Sequence, residues 1–223
     1  MLAALTGAGL SAAAGLNAYI PLVIVGTLAR FTSLIELPHG LTWLASWPSI
    51  IIFSVLLLVE IVLDKIPGVD HVNDIIQTAV RPVVGAVVFA ATAAADVVES
   101  SEFWQNNEWL GYVLGAIMAS IVHIGKATSR TAINAATAGV GSPVASFAED
   151  GVSVGLSFSA ILIPWFVAII LLAMGAAVYR IVTTGRRRRQ RKAAAQAETR
   201  AAREARERET EPWWRLFARG RDD

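Results

Sequence analysis

Lys65, Asn73 and Pro82-Val83 stand at the same spacing as Lys126, Asn134 and Pro143-Val144, and each set follows a long apolar run. Four of the nineteen aligned positions are identical. An ammonium, an amide and a helix-interrupting proline, placed where hydrophobic helices end, could bind a polar solute, and small transporters are often assembled from such repeats. On this reading Lys65, Lys126 and Arg130 sit at a mouth or gate. Asn17, Asn73, Asp74, Arg81, Asn134 and the Gly139–Pro143 stretch, with Gly141, converge on one site. Mixed charge signs favour a zwitterionic or anionic solute, or a lipid headgroup, over a bare cation.

Other polar residues carry two readings each. Asp70, Asp74, Gln77 and Arg81 recur at spacings of four, three and four, so they share one helix face. That face is either an interfacial amphipathic helix or a polar stripe entering a bundle and ending where Pro82 frees backbone carbonyls. Gly139, Gly141 and Pro143 disfavour an ordinary helix, so residues 137–143 form either a plain turn or an unwound segment whose carbonyls could meet a cation. Glu149-Asp150 is an acidic helix cap or a binding pair. Asn17 with Pro21 marks a broken or kinked first helix. His123, one turn before Lys126, reads as a packed polar residue, with no metal-ligand cluster around it.

Enzyme signatures are absent or weak. The chain has no HExxH and no P-loop. Gly151-Val152-Ser153-Val154-Gly155 matches GxSxG, but it opens an apolar helix, lacks a preceding strand and has no histidine after it. Gly7-Ala8-Gly9 likewise follows no strand. An intramembrane enzyme using His123, Ser153 or Asp70 with Asp74 is the rival chemistry; the sequence favours a non-enzyme with no metal and no cofactor. Without cysteine there is no disulfide and no thiolate chemistry.

These residues must be held by membrane helices. Hydrophobic residues make up 55% of the 223, and mean hydropathy is +0.54, above the usual share for a soluble domain. Uncharged windows cover 2–29, 37–59, 82–95, 109–125, 131–148 and 151–179. A hydrocarbon core about 30 Å thick needs about 20 helical residues. The windows predict an all-α bundle of six embedded segments with at least one broken helix; 131–148 is either the sixth crossing or a surface loop. Trp43, Trp47 and Pro48 anchor the second segment at an interface. GxxxG pairs at Gly111/Gly115 and Gly151/Gly155 permit close helix approach, and self-association is compatible with the pattern.

Charge divides the chain into a transmembrane domain, 1–182, and a basic tail, 183–223. The first part holds six Lys/Arg against eleven Asp/Glu, the second thirteen against seven. Basic residues near span ends stay cytoplasmic. The tail, and with six crossings both termini, are therefore expected inside. Lys65, Arg81, Lys126, Arg130 and Arg180 fall on that side, with Glu149 and Asp150 on the other. Arg186, Arg187, Arg188 and Arg189 open the tail, and Trp213-Trp214 lies near its end. The tail is either a topology signal or a device that docks on anionic lipid. Nothing in it is specific for nucleic acid. A non-transporting scaffold whose tail recruits lipid or protein is the competing class.

Several segments resemble a bacterial integral-membrane family known as domain of unknown function 4126. They are Gly15-Leu16 with Pro21, Leu34 to Trp47, Glu60 to Asp74 with Lys65-Ile66-Pro67, and Lys126 to Asp150. The last stretch carries Thr137, Gly139, Gly141, Pro143, Val144, Ser146 and Glu149-Asp150; at Ser142, where the resemblance leads us to expect asparagine, the chain departs. The likeness spans about residues 5–180. It implies one helical bundle in a bacterial inner membrane and brings no activity.

Overall fold

The computed structural model describes residues 2–66, 69–97, 107 and 109–210. Every regular element among them is helical: α1 (Leu2–Leu16), α2 (Tyr19–Phe31), a 3-10 helix η1 (His39–Ala45), α3 (Trp47–Leu63), α4 (Val69–Val97), α5 (Trp109–Thr137), α6 (Ser142–Leu162) and α7 (Pro164–Thr210). Two compact units result, Met1–Ala173 and Met174–Asp223. Over its described residues the second unit is helix alone, to Thr210. Trp213 and Trp214, like Glu99, Glu102 and Glu108, lie outside the described residues.

The first unit is apolar outside and polar within. Ile51, Ile52, Val55, Leu58 and Val62 of α3 are exposed, as are Ile75, Ile76 and Val83 of α4 and Ile117, Ile121 and Ile124 of α5. Arg81, Glu60, Asp64, Lys126 and Arg130 are buried. A soluble protein rarely shows so large an apolar surface, and lipid is the solvent that suits it. Among the described residues, spans by length are fewer than the six expected. Val72–Thr92 and Trp109–Thr137 are long and apolar enough to cross, and η1 with α3, bent by 61°, makes a third. Ser46 starts α3 by accepting the Ser49 amide at 3.3 Å, with Pro48 in the first turn. Helices α1 and α2, with 15 and 13 residues, reach only about 22 and 20 Å at a rise of about 1.5 Å per residue. They are two short apolar helices separated by a break at residues 17–18.

Close backbone approach lets polar groups meet inside. Helices α4 and α5 cross at Gly85 and Gly115, where a Cβ on either glycine would overlap the other helix. A Cβ on Gly15 would lie 2.6 Å from the Ala119 carbonyl, so α1 packs into the same junction. Gly151 and Gly155 face open space; that GxxxG pair makes no helix contact within the described chain.

Three expectations are corrected. Window 131–148 is not one continuous helix: it is the end of α5, a reversal, and the first turns of α6. Ala138 (φ 51°) and Gly139 (φ 86°) adopt left-handed backbone, which turns the chain back. Pro82 does not end its helix, since α4 runs through it; it only removes the N–H that would bond the Thr78 carbonyl. The matched spacing also meets unlike structure. Lys65 is in the turn after α3, while Lys126 lies within α5; Pro82 is mid-helix, while Pro143 opens α6. The two stretches are not one hairpin used twice.

Candidate functional site

The site is built around the break at Asn17. Its Oδ1 accepts from the Tyr19 and Ile20 amides at 3.1 and 3.2 Å and so caps α2, while its Nδ2 donates to Asp150 at 2.9 Å. Ending α1 there leaves carbonyls without helical donors, and these attract cations. Arg81 Nη1 donates to the Gly15 carbonyl at 3.1 Å, and Lys126 Nζ to that of Leu16 at 2.8 Å. The interrupted helix expected from Asn17 and Pro21 thus anchors two buried bases.

Each base has carboxylate partners. Arg81 Nη2 meets Glu60 Oε1 at 2.8 Å, with both side chains buried. Asp64 Oδ2 lies 3.0 Å from Lys126 Nζ and 3.4 Å from Arg130 Nη2, while Asn73 donates to its Oδ1 at 2.8 Å. Asp64 is in the turn beyond α3, outside the spanning segments. Burial pushes its carboxyl up, but Lys126, Arg130 and the Asn73 and Lys126 hydrogen bonds together hold it at about 2. Glu149 bridges Lys126, at 3.2 Å, and Arg130. Lys65 pairs with Asp150 at 3.3 Å and lies over the Phe147 ring, 4.1 Å from its centroid. Glu149 and Asp150 therefore stand at the level of Lys65, Lys126 and Arg130, not across the membrane from them.

His123 links this network to a cavity. Arg81 has only donors to offer, so His123 Nδ1, 2.9 Å from Arg81 Nη1, must accept. The ring proton is then on Nε2 and is donated to Thr78 Oγ1 at 3.0 Å, which itself donates to the Asp74 carbonyl at 2.8 Å. These bonds assign a neutral imidazole. Beside it, between α4 and α5, lies a cavity of about 230 Å³ lined by Asp74, Thr78, His123, Arg130, Thr131 and Asn134. Asp74 Oδ1, Arg130 Nε and Nη1, and Asn134 Oδ1 have no hydrogen-bond partner. Arg130 Nη1 is 3.9 Å from Asp74 Oδ2, an ion-pair distance without a hydrogen bond.

The expected site residues are thus sorted. Asp74 and Asn134 share the cavity with Arg130. Arg81 lies behind His123, Asn73 is held by Asp64, and Asn17 caps a helix, so these three are supports. Lys126 is buried at the centre of the network; of the three expected mouth residues, Lys65 is the most exposed. Gly139, Gly141 and Pro143 take no part in the polar cavity. Their turn is closed by its own bonds, with the amides of Gly139 on Asn134, Val140 on Thr137 and Ser142 on Gly139. Gly141 instead borders an open, apolar depression with Val140 and Val144.

Sequence reasoning passed over Glu60, Asp64 and Thr78 as site residues and gave His123 a packing role, or a catalytic one in the rival enzyme reading. Spacing held the signal: Glu60 and Asp64 are four apart, as are Lys126 and Arg130, and His123, Arg130 and Asn134 fall on one helical stripe.

A family model described as Domain of unknown function (DUF4126) matches residues 4–184. No curated protein and no solved structure matches the chain.

Proposed function

We propose that the chain, which belongs to that family, is a small secondary transporter or permease for a zwitterionic or anionic solute or a lipid headgroup. The observation that carries this reading is the cavity between α4 and α5, lined by Asp74, Asn134 and Arg130, each of which keeps a polar atom without a hydrogen-bond partner. Ionised side chains at membrane depth are costly, and here Asp74 and Arg130 stand 3.9 Å apart without a hydrogen bond between them. The excess of Lys/Arg after residue 182 supports a cytoplasmic tail in an inner membrane, with Arg186 to Arg189 near anionic lipid.

Reconstitution of the full chain into proteoliposomes tests the reading by uptake of labelled glycine, phosphoethanolamine and phosphate. Asn134→Leu removes a cavity wall atom but none of the described ion pairs. It should abolish uptake while the protein still inserts and melts cooperatively; deletion of 186–223 should leave the rate unchanged. The reverse pattern of effects favours a scaffold whose tail does the recruiting.

A further inference from the structure

We infer that the cavity between α4 and α5 selects a protonated amine, with Asp74 as its counter-ion; this narrows the solute class and rests on the permease reading. Among the described residues the network holds five carboxylates, Glu60, Asp64, Asp74, Glu149 and Asp150, against four bases, Lys65, Arg81, Lys126 and Arg130. His123 adds no charge, because it accepts from Arg81. The distances set Asp74 apart from the other four carboxylates. Glu60, Asp64, Glu149 and Asp150 each have a base within 3.3 Å. Asp74 has only Arg130 at 3.9 Å, a guanidinium already shared with Asp64 and Glu149. Asp74 is 9% exposed and lines the cavity, and its Oδ1 has no hydrogen-bond partner.

A bare anion entering here would face the Asp74 carboxylate, whereas an ammonium would pair with it. Asn134, whose Oδ1 has no partner, also lines the cavity, and Thr131 Oγ1, donating to Ala127 at 2.9 Å, keeps its lone pairs available. Arg130 Nε and Nη1 offer donors to the opposite end of the occupant. The complementary molecule has an ammonium at one end and an acceptor oxygen, phosphate or carboxylate, at the other. The volume of about 230 Å³ equals roughly seven or eight waters at about 30 Å³ each, which suits a molecule as small as phosphoethanolamine. A free solute and an aminophospholipid headgroup share this chemistry.

The test is calorimetric titration of the detergent-solubilised full chain with ethanolamine, phosphoethanolamine, acetate and inorganic phosphate. Melting temperatures in nanodiscs of phosphatidylethanolamine, phosphatidylcholine or phosphatidylglycerol form the second arm. Ethanolamine and phosphoethanolamine should bind, phosphoethanolamine more tightly, while acetate and phosphate should not. Asp74→Asn, nearly isosteric, should weaken both amines at least tenfold. A phosphatidylethanolamine-specific stabilisation that vanishes in the variant identifies the headgroup as the source; amine binding in all lipids identifies the free solute. Binding of the anions without the amines overturns the inference and leaves the permease reading intact. Failure of every probe and lipid, or unchanged amine affinity in Asp74→Asn, also overturns it. Amine binding without any uptake supports the inference and removes the permease reading. Because the probe series on the unaltered chain decides the sign of the ligand, the inference is falsifiable even if Asp74→Asn misfolds.

Discussion

At the scale of single residues, Asp64 joins two helices that the chain reaches far apart: Asn73 of α4 and Lys126 and Arg130 of α5 all converge on it. Asp64→Asn keeps the shape but leaves Lys126 and Arg130 short of a buried carboxylate. Breaking such a pair costs about 3–5 kcal/mol, and the melting temperature in detergent should fall accordingly. The sign of the pH effect follows from the lowered carboxyl. Its stabilisation is complete above the ordinary value of 3.8 and is lost as pH falls through about 2. The gap between unaltered protein and Asp64→Asn should hold at pH 5 and close on acidification below 3.8; a gap that widens in acid contradicts the assignment. His123 gives a second residue-scale expectation. Its ring nitrogen shifts at neutral pH should report a neutral imidazole protonated at Nε2, since Arg81 occupies Nδ1. A proton found on Nδ1 would mean that the Arg81 contact does not form.

At the scale of elements, two glycine-containing faces of similar sequence have opposite fates. Gly115 meets Gly85 backbone-to-backbone across the α4–α5 crossing, while Gly151 faces open space. Gly115→Ala should destabilise by about 1–3 kcal/mol through overpacking. Gly151→Ala should be neutral or stabilise by about 0.5–1 kcal/mol, because alanine loses less backbone freedom in a helix. Thermal melts of both variants in one detergent compare them directly. Equal effects would mean that the α4–α5 crossing is looser than it stands here. The GxxxG spacing alone could not separate the two faces, since it records where small residues fall and not what faces them.

At the scale of the whole molecule, the ion network fixes which ends of the helices lie together. Lys65 pairs with Asp150, and Asp74 shares its cavity with Asn134, so the turn before α4 and the reversal after α5 belong to one side. With no native cysteine to interfere, single cysteines at Val69 and Val140 should react with an impermeant reagent from the same face. Labelling from opposite faces would restore 131–148 as a crossing. The tail adds an independent expectation. Six basic residues, Arg186 to Arg189 with Arg191 and Lys192, contribute about 1 kcal/mol each near an anionic leaflet. A peptide of residues 183–223 should therefore bind anionic vesicles, release as salt rises, and show blue-shifted tryptophan emission when bound. Indifference to lipid charge would reduce the tail to a topology signal.

The sequence by itself determined the properties that are local. Apolar windows without charges specify helices suited to lipid-like surroundings, Asn17 with Pro21 specifies a break or kink, and Gly139, Gly141 and Pro143 specify an interruption of regular helix. Each depends on neighbours a few residues away, where composition and spacing carry the information. Only the tertiary structure decided that the interruption in 131–148 is a chain reversal, and that Arg81 and Asn73 support the site while Asp74, Arg130 and Asn134 line it. Those roles rest on partners far along the chain, such as Asn17 with Asp150, 133 residues apart, or Lys126 with Asp64, 62 apart. Coulomb attraction and hydrogen bonding act over a few ångströms, so which charge meets which is set by the glycine crossing of α4 and α5 and by the break in α1, and no spacing along the chain encodes it.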